Sequence, residues 1–244
     1  MKSSGIKTST VLASFLLAAC LSMRAEVKLP AIFSDGMVMQ QQTNANLWGT
    51  ATPNKKVTVT TGWNGKQYAV TADKNGSWKL SVSTPEAGGP YTITFDDGTQ
   101  KTLNNILIGE LWLCSGQSNM EMPMKGFKNQ PVENANMDIL RSKNLHIRLF
   151  TVKRTSTITP QNDVVGSWKE AAPVSVRDFS ATAYYFGRLV NAILEVPVGL
   201  VVAAWGGSAC EAWMTADWLK AFPDAKIPQS EADIKSKNRT PTVL

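Results

Sequence analysis

Between Glu26 and about Asn105, apolar and polar positions alternate over short runs, the period of half-buried strands. Val27 to Phe33, Val38 to Gln41, Val57 to Thr61, Gln67 to Thr71, Trp78 to Val82 and Tyr91 to Phe95 are the expected strands. Asn64-Gly65 and Asn75-Gly76 punctuate them, and Asn-Gly between β-branched runs is a strong hairpin signal. Short strands with such turns predict a β-sandwich over residues 26–105. Its Trp48 and Trp63 suit either sugar stacking or, as is commoner for aromatics, a packed core or seam.

After Asn105 the pattern changes. Ile106 to Cys114 is nearly continuous in apolar residues, which predicts a parallel strand covered on both faces. A short helix is expected over Glu133 to Arg141 and a strand over Leu145 to Val152. From Asp178 to Leu194, Phe179, Ala183, Phe186, Val190 and Ile193 recur at helical spacing, with Ser180 placed as N-cap and Phe179 and Tyr184 as a staple across it. Pro197 stops this helix, and Val198 to Trp205 forms a second apolar run that ends in Gly206-Gly207-Ser208 before a helix at about Cys210 to Ala221. Alternating strands and helices predict an α/β domain with a parallel sheet over residues 106–244. Ligands of such sheets sit beyond the C-terminal ends of the strands, where Ser118 and Gly206-Gly207 both fall. The polar tail from Ile227 and the shortness of this second half predict a domain that is incomplete at its C-terminus.

Composition removes several classes. With 43% hydrophobic and 18% charged residues, the 244-residue chain has ample material for packed cores. Its formal charge of +6 includes Lys2, Lys7 and Arg24, with no acid before Glu26, so the remainder carries only +3. No basic stripe or nucleic-acid-binding motif accompanies that excess. Residues 1–25 have the layout of an export signal, with Lys2 and Lys7 ahead of an apolar run from Val11 to Leu21. Leu17-Ala18-Ala19-Cys20 resembles a lipoprotein box, which makes Cys20 a lipidation candidate. The alternative is a soluble product that discards Cys20 with its signal. Both readings place the protein outside the cytoplasm, periplasmic or extracellular, with membrane contact only through the signal or a lipid. Cys114 and Cys210 remain in the mature part, either as one bridge or as two thiols, and no Cys/His metal spacing is present.

The chemical candidate is Ser118, which follows an apolar run and a Ser115-Gly116-Gln117 turn, the way a fold exposes a nucleophile at a strand end. Local spacing alone favours a helix cap, because Ser118-Asn119-Met120-Glu121 fits the Ser-x-x-Glu capping box. The G-x-S-x-G elbow is not met, since Met120 stands at its second glycine.

Four stretches in order resemble the sialate O-acetylesterase family, carbohydrate esterases of the SGNH-hydrolase class. They are Leu29 to Met37, Leu111 to Met120, Phe179 to Phe186, and Trp205 to Ser208 with Glu211-Ala212-Trp213. The resemblance spans nearly all of residues 27–240 and implies an SGNH-like α/β esterase domain after the sandwich. It implies Ser118 as nucleophile toward an acetyl ester on a sugar hydroxyl, with no metal or organic cofactor. It further implies an oxyanion hole from the Ser118 amide and that of Gly207 or Gly206, and a pocket lined by Gln117, Asn119, Glu211 and Trp213. Close helix-strand packing accounts for the glycines equally well, and a helix carboxylate and a core tryptophan account for Glu211 and Trp213 almost as well. The family's further Gln-Gly-Glu-type block and its late Asp-x-x-His, the source of acid and base, do not occur in these residues. His146, the one histidine, has Lys143 rather than an aspartate three residues before it and reads as structural. Two functions follow: a carbohydrate O-acetylesterase weak in this form, or a non-catalytic exported glycan-binding lipoprotein. Its partner is an acetylated sugar or glycan in the first case and a glycan in the second.

Overall fold

The computed structural model describes residues 26–230 and 232–233. Residues 1–25, expected to be an export signal and including Cys20, and most of the polar tail lie outside the described residues.

The N-terminal half is built of β1 (Val38–Gln40), β2 (Asn44–Thr50), β3 (Lys56–Thr61), β4 (Gln67–Thr71), β5 (Ser77–Ser83) and β6 (Gly88–Asp96). They are followed by a 17-residue strand, β7 (Gln100–Gly116). The β3–β4 hairpin turns at Asn64-Gly65 as expected, with Gly65 in the left-handed region at φ +67°. The expected strand over Val27 to Phe33 is replaced by a single antiparallel bridge between Lys28 and Thr50. Pro30 has no N–H to extend a ladder, and its carbonyl instead accepts from Phe33 N in a turn. β2, which the sequence reading did not mark, pairs with β5 throughout its length.

With β8 (Asn144–Thr151), β9 (Trp168–Ala171) and β10 (Val198–Ala204) from the second half, one mixed eight-stranded sheet runs through both halves in the order β4-β3-β6-β7-β10-β8-β9, with β1 also paired to β7; β2 and β5 form a separate two-stranded sheet. β7 is the common strand. Its first part pairs antiparallel with β6 up to Ile108, and its last part, from Glu110 to Gly116, pairs in parallel with β10. The boundary expected at residue 105 therefore falls inside a continuous strand. β10 also pairs in parallel with β8, as the apolar runs predict, while β9, unforeseen in the sequence, is an antiparallel edge.

Two apolar clusters fill the molecule. The first joins Leu47, Val57, Trp78, Ile93 and Phe95 to Phe150 and Trp168 from the second half. The second packs Cys114, Ile147, Leu200 and Val202 of the sheet against Phe179 and, from the long helix, Ala183 and Tyr184. That helix, α4 (Ala181–Leu194), follows three short ones, α1 (Ser118–Glu121), α2 (Ala135–Leu140) and α3 (Pro173–Val176). Ser180 caps α4 by accepting from Ala183 N at 3.1 Å, and Phe179 and Tyr184 are buried across the cap. The helix expected over Cys210 to Ala221 is instead a 3₁₀ turn at Cys210–Trp213 and a separate α5 (Ala216–Leu219). Thr215 breaks the run because its hydroxyl accepts from Trp218 N at 3.3 Å and starts a new helix.

The two-sided cover expected for Ile106 to Cys114 holds only in part. Ile106, Leu107 and Ile108 are buried, but Leu113 is 63% and Trp112 42% exposed. Among the described residues no strand pairs with Trp112 to Gly116 on the side away from β10.

Candidate active site

β7, β10 and β8 run in parallel, so their C-terminal ends share one edge of the sheet, the edge where α/β folds bind ligands. β7 ends at Gly116, whose φ of +151° suits a residue without a side chain and lets the chain turn sharply into α1. Ser118 is the first residue of α1 and is exposed. The helix has Gln117 at its N-cap position and no side-chain cap, so the Ser-x-x-Glu capping box is not formed. Ser118 Oγ faces Gln117 Oε1 at 3.4 Å, and Asn119, also exposed, accepts from Thr182 through its carbonyl at 3.0 Å.

The short helix α1 is pinned from behind by the start of α4. Ala181 N donates to Met122 O at 2.8 Å, Met124 N to Phe179 O at 2.9 Å, and Ser180 Oγ lies 3.6 Å from Met120 Sδ. The Leu111–Met120 and Phe179–Phe186 stretches, far apart in sequence, thus form one structural unit.

The glycine turn after β10 completes this edge. Ala204 lies beside Gly116, and Trp205 N donates to Gly116 O at 3.0 Å. Gly206 comes next to Ser118: a methyl group on it would stand 3.4 Å from Ser118 Oγ and overlap Glu121 Oε2. Its N–H is already engaged, donating to Glu121 Oε2 at 2.6 Å. The other Glu121 oxygen pairs with Arg154, from the segment after β8, and the Arg154 guanidinium lies 5.8 Å from the Trp205 ring centre. Gly207 is exposed in the left-handed region at φ +77° with open space where a side chain would be. Trp213 donates to Ser208 Oγ at 2.8 Å and borders a cleft with Arg154 and Trp205, whereas Glu211 is exposed on the 3₁₀ turn.

The structure thus brings Gln117, Ser118, Gly206 and Gly207 to one strand edge and adds Glu121 and Arg154, which sequence reasoning did not assign to the site. The Gly206–Glu121 bond joins residues 85 apart in sequence, so no local spacing could reveal it. His146 is exposed at the start of β8. Its neighbour Ile147 aligns with Val198 and so with Glu110, six residues before Gly116, which places the imidazole about 20 Å along the sheet from Ser118. Cys114 is buried, with its thiol pushed up by desolvation, and Cys210 is exposed; both are free thiols. Among the described residues no group of three His, Cys, Asp or Glu side chains could hold a metal ion.

With a serine turn at the C-terminal end of a parallel strand beside a glycine turn from its neighbour, the chain is similar to a carbohydrate acetylesterase. A solved carbohydrate acetylesterase of Xanthomonas citri superposes with a TM-score of 0.76 at 32% identity, over 88% of this chain and 46% of that one. More particularly, the chain is related to sialate O-acetylesterases: the Rattus norvegicus protein is 32% identical over 76% of this chain, and the Homo sapiens protein 28% identical over 80%. The chain spans about 40% of the length of the curated relatives it matches. No family model matches it.

Proposed function

We propose that this chain carries the nucleophile-bearing part of a carbohydrate O-acetylesterase. The observation that supports the reading best is Ser118 itself: exposed at the end of β7, beside Gly206, within a chain related to esterases of acetylated sugars. In the reaction, Ser118 Oγ attacks the acetyl carbonyl carbon and its proton passes to a base. The bond from that carbon to the sugar oxygen breaks, and the sugar leaves as an alcohol. Water then attacks the acetyl-serine, releasing acetate and restoring the hydroxyl. The tetrahedral oxygen is held by the Ser118 and Gly207 amides, since Gly206 N–H is given to Glu121. Gln117, Asn119, Glu211 and Trp213 form the sugar pocket.

His146 is too distant to serve as the base, so these residues alone give slow turnover, sustained by binding and a partial oxyanion hole. The N-terminal residues are read as a two-layer β module, supported by β2 and β5 sharing one core with β3 and β6. Export, with or without a lipid on Cys20, belongs to the same proposal and is checked by the mass of the mature N-terminus. The functional test is acetate release from an O-acetylated sugar. Release that is lost in Ser118→Ala supports the reading, and release unchanged in that variant contradicts it. Binding of the glycan without any acetate release would favour the non-catalytic alternative.

A further inference from the structure

Three strand ends meet at the candidate site, and their links differ in kind. β7 and β10 hold each other by backbone up to Trp205 N and Gly116 O. The turn beyond is closed on itself by Ser208 N donating to Trp205 O at 3.2 Å. Between these, the Gly206 amide donates to the side chain of Glu121. Glu121 stands three residues after Ser118 on the same short helix, so this carboxylate ties the glycine turn to the nucleophile. Its second oxygen takes Arg154, which reaches in from the end of β8 and lies over Trp205. A charge-assisted bond such as that from Gly206 is about twice as strong as a neutral one, and the Glu121 side chain is only 15% exposed, so it is little screened; Arg154 is half exposed, and its ion pair is the more screened of the two.

We infer that Glu121 is a positioning residue: it anchors the Gly206 amide and thereby sets the Gly206-Gly207 turn against Ser118, with Arg154 steadying the carboxylate. Glu121 need not touch the substrate to matter. A shift of about 1 Å in a catalytic group costs on the order of 10²-fold in rate, and nothing else among the observed bonds links this turn to α1. With one oxygen on the Gly206 amide and the other paired with Arg154, the carboxylate contributes through geometry. The inference rests on the reading of Ser118 as nucleophile.

The test pairs two measurements on the 244-residue chain. Exchange of the Gly206 amide by NMR reads the anchor directly, independent of any activity. Acetylation of Ser118 by 4-nitrophenyl acetate, followed by intact mass at increasing ester concentration, separates the maximal rate from half-saturation. Glu121→Ala is expected to unprotect the Gly206 amide and lower the maximal rate by about 10²-fold with little change in half-saturation. Glu121→Gln, which keeps an acceptor for Gly206 while giving up the Arg154 pair, is expected to restore protection and a rate within about tenfold of wild type. A merely structural role predicts no such rescue at equal melting temperature. An unchanged Gly206 amide in Glu121→Ala, or a freed amide with an unchanged Ser118-dependent rate, overturns the role of Glu121. Ester consumption that survives Ser118→Ala unchanged overturns the nucleophile reading instead, and positioning of that nucleophile falls with it.

Discussion

At Gly109, β7 exchanges one set of neighbours for another. Gln41 N donates to its carbonyl from one side, and the next residue, Glu110, donates to Pro197 O at 2.8 Å where β10 begins. A methyl group on Gly109 would overlap that same Pro197 carbonyl, a backbone atom that cannot rotate away. Gly109→Ala should therefore destabilise the protein by about 1–3 kcal/mol, read as a fall in the urea midpoint at unchanged slope. An unaltered midpoint would show that the β10 entry is looser than this packing implies. Arg148 shows a related economy: nearly buried, it is paired with Glu170 at 3.1 Å and donates to Asn105 and to the Leu145 carbonyl. A charge so enclosed is tolerable only because its donors are met from several elements.

Among elements, α4 carries most of the testable stability. Its cap is a single hydroxyl, so Ser180→Ala should cost about 1 kcal/mol and lower the thermal midpoint. Its exposed side is fastened to α2 through Asp138, which accepts from Arg188 at 2.7 Å and Tyr185 at 2.8 Å. These bonds, Arg188 first, hold the Asp138 carboxyl below its usual range. Its contribution is complete above the unfolded value of about 3.9 and fades as pH falls through the lower folded value. Tyr185 is pushed up to about 12, first by burial and then by Asp138, so its contribution is lost only as pH rises through that value. Asp138→Asn should flatten the acid limb of a melting-temperature profile below about pH 4 while leaving the neutral region's slope unchanged. An acid limb as steep as wild type would show that other carboxylates dominate it.

These elements also show what the sequence could reveal. Ser180, the Phe179/Tyr184 staple and the apolar runs of β7 and β10 were legible because caps and strand periods are local signals. β2 was missed because Asn44, Asn46 and Gly49 dilute its alternation, and it is defined by β5 across the sheet. The continuity of β7 through residue 105 was hidden by Asn104-Asn105, which read as a break, although Asn105 keeps its place in the strand at φ +58°. In the site, Ser118 and the glycine turn were visible as strand-end motifs. Glu121 was visible only as half of a capping box, and its observed partners come from two distant loops.

For the whole molecule, the open side of β7 is the dominant surface feature. Trp112 leans on Phe186 of α4 at 4.9 Å between ring centres, while Leu113 projects from the opposite face without a covering helix among the described residues. An unpaired apolar strand edge invites pairing with another chain. Leu113→Lys should reduce self-association in sedimentation experiments with the melting temperature maintained. Equal association in both proteins would place the contact elsewhere.

The most direct measurement of the central claim is peptide mapping of the chain after brief exposure to an acetyl ester. The proposed function predicts an acetyl group on the peptide containing Ser118, assigned to that hydroxyl by fragmentation and absent from Ser118→Ala. Acetate release with no acetyl-Ser118 intermediate, and at the same rate in Ser118→Ala, would contradict it.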